Sequence, residues 1–229
     1  MSATPKMHGG NVAEAEGAAK PQGRKGRVAG QDPVKRQQIT EAAKRCFLEL
    51  GFEATSMNDI TAAAGVSKGT IYVYFADKED LFTSLCKAER EQLMDFAQSE
   101  LDASTTVTEA LNRLGVALAT RLTSDRVIKA QRMVLAVVER LPKLAASFFG
   151  PEPFSGPAVL KGYLEKKVAT GELVVEDTEL AARQLIDLVM AGLFKPRLFG
   201  NMVEPPSAEL VAANVAKGVD VFLAYYGRK

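Results

Sequence analysis

The run Ser67-Lys-Gly-Thr-Ile-Tyr-Val-Tyr-Phe75 brings hydroxyls, a cation and a position without a side chain together within nine residues. The chemistry these groups suit is contact with base edges and phosphates. Thr70 and Tyr74, four apart, suit phosphate oxygens, and Lys68 adds its charge at a helix start, where the backbone dipole already favours an anion. Val73 can meet a thymine methyl but cannot read a hydrogen-bond pattern. Gly69 lowers helix stability by roughly 1 kcal/mol relative to Ala, which implies that a base edge or a phosphate must approach the backbone closely.

Two short helices have to hold these groups. In the first, Ser56 is the candidate N-cap with Asp59 three residues on, and Met57, Ile60 and Ala64 share one face. Gly65 stands where a helix commonly stops. Ser67 caps the second helix, which turns Ile71 and Phe75 inward, with Val66 as an apolar anchor in the turn. Counting about 100° per residue from Ile71 puts Gly69 and Val73 at the centre of the outward face, with Thr70 and Tyr72 on its shoulders. Helix, glycine turn, helix is a helix-turn-helix, shaped to enter the DNA major groove. Each residue alone is ordinary on a protein surface; the joint pattern carries the weight.

The rest of the chain reads as helices. Residues 1–32 lack any periodicity, hold the lone histidine His8, and are expected to be disordered. Asp32-Pro33 starts a helix whose stripe is Ile39, Ala42, Ala43, Cys46, Phe47 and Leu50, ended by Gly51. Asp77 caps a long helix from Lys78 to around Leu101, with Leu81, Phe82, Leu85, Leu93 and Met94 apolar. Further segments follow at roughly 106 to 123, 125 to 141, 142 to 149, 157 to 170, 177 to 195 and 207 to 227, and no strand pattern survives the length test. The 177 to 195 segment is apolar almost all round over Leu185 to Phe194, as a buried or paired helix would be, with Arg183 and Asp187 placed for an ion pair. The fold class is therefore all-α: an N-terminal three-helix domain over 33–82, then a C-terminal helical domain over 83–229.

Composition narrows the function. Cys46 and Cys86 are too far apart for a CxxC site and sit on apolar helix faces, as reduced core thiols do. A net charge of +1 means that local placement of Lys35, Arg36, Lys44, Arg45, Lys68 and Lys78 must supply any phosphate contacts. No apolar run approaches the ~20 residues of a membrane span and no secretory signal opens the chain, so no membrane partner and a cytoplasmic location are expected.

Residues 34 to 82 resemble the DNA-binding domain of the TetR family of bacterial transcriptional regulators. Ile39 to Gly51-Phe52 resembles its first helix, Thr55-Ser-Met-Asn-Asp-Ile-Thr its second and Val66-Ser-Lys-Gly-Thr-Ile-Tyr its third. Tyr74-Phe-Ala-Asp-Lys-Glu-Asp-Leu resembles the start of its fourth. The resemblance implies that Thr55, Ser67, Lys68, Gly69, Thr70, Tyr72, Tyr74 and Lys78 lie at or near double-stranded DNA. Val73 departs from the larger polar or aromatic residue usual there, which bears on base preference. Glu139-Arg-Leu-Pro and Ala169-Thr-Gly-Glu-Leu resemble, less specifically, one C-terminal class of the family. The resemblance further implies a homodimer through a four-helix interface of the last two long helices.

The preferred function is a ligand-responsive DNA-binding repressor whose C-terminal domain encloses an apolar cavity for a small hydrophobic or amphipathic effector. Phe148, Phe149 and Tyr163 are the candidate lining, and Gly150 to Pro157 is either a gate to it or a plain surface loop. An enzyme is the rival from another class. Against it, the chain offers no glycine-rich phosphate loop, nucleophile elbow or metal-ligand spacing, and neither cofactor nor metal is expected. An acid/base catalyst built on Asp, Glu or Lys, and a helical interaction protein with a residual DNA-binding domain, stay open as alternatives.

Overall fold

The computed structural model describes residues 32–142 and 156–228. Phe148, Phe149, the N-terminal tail and most of the Pro/Gly segment lie outside the described residues. The described chain is all-helical, in the order α1 (Pro33–Leu50), α2 (Met57–Ala64), α3 (Lys68–Tyr74), α4 (Lys78–Asp102), α5 (Val107–Leu122), α6 (Asp125–Val137), α7 (Gly156–Ala169), α8 (Thr178–Met190), α9 (Phe194–Leu198) and α10 (Ala208–Tyr226). Among the described residues the β content is one isolated bridge between Leu173 and Gly227.

Helix starts follow side-chain chemistry. The Asp32 carboxylate accepts from the Val34 and Lys35 amides at 3.0 and 3.4 Å, with proline at the first helical position. Ser56 and Asp59 form a reciprocal capping box, and the hydrogen bonds from the Ser56 hydroxyl and amide hold the Asp59 carboxyl below its ordinary pKa. Ser67, Asp77, Thr106, Asp177 and Ser207 each accept a backbone N–H at the start of their helices. Such a cap is worth ~1 kcal/mol, which matters most for α2 and α3, too short to persist alone.

Helices α1 to α3 and the first turns of α4 close over Ile39, Phe47, Phe52, Ile60, Ile71, Phe75 and Phe82, each at most 2% exposed. Phe47, Phe52 and Phe82 meet with ring centroids 5.1 to 5.4 Å apart, two of the three pairs edge-to-face. Leu50, expected in this core, is 54% exposed. Gly51, at φ 85°, turns the backbone so that the next side chain, Phe52, takes that space. The core also continues past residue 82, through Leu85 and Cys86 of α4, and includes Val134 and Val137 of α6. Both cysteines are buried free thiols.

The second core surrounds α5, which packs against α4, α8 and α10. Closeness is set by glycine: a β-carbon at Gly115 would lie 2.6 Å from the Val215 side chain, and one at Gly218 3.0 Å from the Leu188 backbone. The expected 177 to 195 helix breaks after Met190, and Gly192 at φ 71° starts a turn into α9. Arg183 pairs with Glu179 at 2.7 Å and not with Asp187. Helical side chains lean toward the N-terminus, and glutamate one turn before arginine is the favourable orientation.

Arg197 of α9 ties this region to α6. Its guanidinium is 2% exposed as a residue and donates to the carbonyls of Thr123, Met202 and Val203 and to the Asp125 carboxylate. Arg132 of α6 donates in return to the carbonyls of Leu198 and Arg197 at 2.9 and 2.7 Å.

Candidate nucleic-acid interface

Helix α3 is fixed by two buried side chains, Ile71 at 0% and Phe75 at 1% exposure. Its opposite face is open: Lys68, Gly69, Tyr72 and Val73 are exposed, Tyr72 at 47% and Val73 at 50%. Thr70 is half-buried, and its hydroxyl shares a 2.7 Å hydrogen bond with Ser67 Oγ, which also accepts the Thr70 amide at 3.1 Å. A β-carbon at Gly69 would meet nothing closer than Ser67 Oγ at 3.9 Å, and φ there is not positive. Neither packing nor backbone conformation inside the chain asks for glycine here, and its backbone stands open at the surface.

Neighbouring helices aim this surface. Gln38 Nε2 donates to the Ala64 carbonyl at 2.6 Å and Arg45 to that of Ala63 at 3.4 Å, so α1 holds the end of α2. Gly65 follows in the left-handed conformation, φ 61°, and sets the angle between α2 and α3. Arg36 stacks 4.4 Å above the Phe75 ring and donates to the Tyr74 carbonyl and Ser84 Oγ, which braces the end of α3 against α4.

Two residues expected at DNA have inward duties. Thr55 is 2% exposed, and its hydroxyl lies 2.7 Å from the Gly51 carbonyl and 3.2 Å from that of Cys46. It locks the α1–α2 turn and does not present its side chain at the surface. Its neighbour Ser56 carries the exposed hydroxyl, and nothing in the residue type announces which of the two faces in. Lys78 Nζ donates to the carbonyls of Phe52 and Glu53 at 2.7 and 3.3 Å and lies 4.5 Å from the centre of the Phe52 ring. One of its three ammonium hydrogens remains for an outside acceptor. Tyr74 is half-buried against the N-terminal core.

The open face thus presents Ser67, Lys68, Gly69, Thr70, Tyr72 and Val73, with Tyr74 and Lys78 at its edge. A model of the bacterial tetR-family regulatory proteins matches residues 39–85, and one of the AefR-like transcriptional repressor C-terminal domain matches residues 109–228. The chain belongs to the TetR family. It is therefore a DNA-binding transcriptional regulator, a family whose members are generally not enzymes. A TetR-family regulator from Mesorhizobium loti has a similar structure, with TM-score 0.78 and 26% identity over 85% of this chain and 98% of that one. The flavonoid-responsive regulator FrrA is 30% identical with TM-score 0.69, covering 86% of this chain and 100% of its own. The HTH-type regulator YhgD of Bacillus subtilis is 29% identical over 162 residues, 68% of this chain and 81% of that protein. With the HTH-type repressor AcnR of Corynebacterium glutamicum the likeness is 38% over 69 residues, 37% of that protein. No helix among the described residues of this TetR-family chain is long and apolar enough to cross a membrane.

Of the expected effector lining, only Tyr163 falls among the described residues. Tyr163 packs half-buried on the C-terminal core, where burial pushes its hydroxyl up to about 12. A cavity of about 180 Å³ lies elsewhere, at the junction of α1, α4, α5 and α6, and Tyr163 does not line it.

Proposed function

We propose that this TetR-family chain works in the cytoplasm as a homodimeric repressor, released from a pseudo-palindromic operator by a small effector. The observation that carries the DNA-reading part is the open face of α3. A tyrosine and a valine about half exposed flank a glycine that the fold does not need, on a helix otherwise pinned by Ile71 and Phe75. Tyr72, Val73, Thr70 and the Gly69 backbone read base edges, while Lys68, Ser67, Tyr74 and the remaining hydrogen of Lys78 meet phosphates. Repression is supported by the resemblance to AcnR, and response to an effector by the resemblance to FrrA.

Dimerisation is supported by the outward faces of α8 and α10, which leave Leu180 49%, Val221 58% and Tyr225 80% exposed beside one another along a groove. Two copies meeting there would bury this apolar surface and set two α3 helices about one DNA turn, ~34 to 36 Å, apart or a multiple of it.

The test is selection of duplexes from a random pool by the purified protein, with sedimentation to count chains. Enrichment of an inverted repeat bound by a dimer is the expected result. Enrichment of no sequence at moderate salt, or of a single half-site bound by a monomer, would overturn the reading. Val221→Asp should produce monomers.

A further inference from the structure

The cavity between α1, α4, α5 and α6 belongs to both domains. Its apolar wall includes Phe47 and Leu48 of α1, Leu85 of α4, and Val127, Ala130 and Met133 of α6. Its volume of about 180 Å³ compares with the ~150 Å³ apolar cavity that accepts benzene. The body it fits is thus a six-membered ring or a chain of about six to eight carbons.

The charged groups lining it are unbalanced: Lys44, Arg90, Arg121 and Arg126 stand against the single carboxylate of Glu89. Glu89 is bonded to Lys44 and, at 2.7 Å, to Arg126. Arg121 lies 5.6 Å from the Phe96 ring, and Arg90 makes no ion pair among the described residues. Four cations and one anion around an apolar space suit an anionic head on an apolar body, since a carboxylate leaves water only where cations receive it.

We propose that this cavity is the effector site and that it takes a compact organic acid, whose carboxylate competes with Glu89 for Lys44 and Arg126. The proposal rests on the reading of the chain as an effector-responsive DNA binder. Glu89 of α4 holds α1 through Lys44 and α6 through Arg126, so one carboxylate fastens the DNA-reading domain to the regulatory one. An acid seated between Phe47 and Met133 loosens that fastening and separates α1 from α6. The bound form is then a molecule whose α3 helices are displaced from operator spacing, and the operator selects against it.

Binding is measured first without DNA, on the full chain with isotope-labelled methionine methyls, Met133 being assigned by its loss in Met133→Leu. The probes are phenylacetate, cyclohexanecarboxylate and octanoate, with 2-phenylethanol and 2-phenylethylamine as neutral and cationic matches for the first. At least one acid should shift the Met133 methyl, phenylacetate should bind about tenfold or more tighter than the alcohol, and the amine should not bind. The double variant Lys44→Gln, Arg126→Gln should erase the preference for acid over alcohol, and Ala130→Phe should abolish binding of both. Silence of Met133 toward all three acids, or equal affinity for acid and alcohol, would overturn the site. Duplex affinity is then measured with and without the acid that binds. A drop of about 5 to 150-fold is expected. An unchanged affinity would overturn the effector role while leaving the DNA-binding reading standing, and failure to bind any duplex would instead remove the reading beneath it.

Discussion

Gly218 of α10 lies so close to Leu188 of α8 that a β-carbon on it would stand 3.1 Å from the Leu188 carbonyl oxygen. The obstacle is backbone, which cannot swing aside as a side chain can. Gly218→Val should therefore push α8 and α10 apart and cost ~1 to 3 kcal/mol, read as a lower urea midpoint. Because both helices carry the proposed dimer surface, sedimentation should show weaker self-association in the same variant. Wild-type stability in Gly218→Val would mean that the two helices pack less closely than described.

Thr55 and Tyr72 should separate fold from recognition. Thr55→Val removes a buried hydroxyl that serves the Cys46 and Gly51 carbonyls and should cost ~1 to 3 kcal/mol in denaturant, with operator affinity of the folded protein unchanged. Tyr72→Ala, on an open surface, should alter stability by no more than ~0.5 kcal/mol and yet change which duplexes a random pool yields. The opposite pattern would place DNA at the α1–α2 turn and not at α3.

Lys78 should show both effects at once. Lys78→Ala loses two hydrogen bonds and the contact with the Phe52 ring, a cost of ~1 to 2 kcal/mol at this half-exposed site. If its third hydrogen meets a phosphate, the slope of log affinity against log salt should also fall by about one. An unchanged slope would confine Lys78 to bracing the chain.

Alkaline pH should weaken the fold. Burial pushes the Cys86 thiol up from 9.0 to about 12 and the Tyr163 hydroxyl from 10.0 to about 12. The unfolded chain then releases these protons at lower pH than the folded one. The stabilisation they provide is complete below pH ~9 and is lost as pH rises toward ~12. Urea midpoints should fall between pH ~9 and ~11, and Cys86→Ala should flatten part of that decline. For the same reason Cys86 should resist alkylation at neutral pH until urea unfolds the protein.

Where local chemistry decides structure, the sequence was a good guide. The capping residues Asp32, Ser56, Ser67 and Asp77, the stop at Gly65 and the inward pair Ile71 and Phe75 all stand where their types and spacing indicate. The all-helical class was legible for the same reason, and the TetR family through the resemblance of residues 34 to 82. Contacts between distant segments were not. Nothing in the spacing of Thr55 tells that its hydroxyl meets carbonyls at 46 and 51, or that Lys78 reaches back to residues 52 and 53. Leu50 fits the α1 stripe as well as Phe47 does, and only the turn at Gly51 decides that Phe52 supersedes it. The cavity is built from four helices and their leftover volume, a quantity that no linear pattern encodes.

Val134 and Val137 are buried in the same core as Ile39 and Phe82, although some fifty residues of chain separate them from α4's first turns. The DNA reader is thus a discontinuous unit, completed by a helix that arrives late in the polypeptide. A fragment cut between α4 and α5 would uncover the flanks of Leu85 and Cys86 and should be sticky in solution. Recombination that exchanges DNA readers between relatives would have to carry a compatible α6, or retune those two valines, before the hybrid could fold. During synthesis, the α6 side of that core would stay uncovered until residue 137 had left the ribosome.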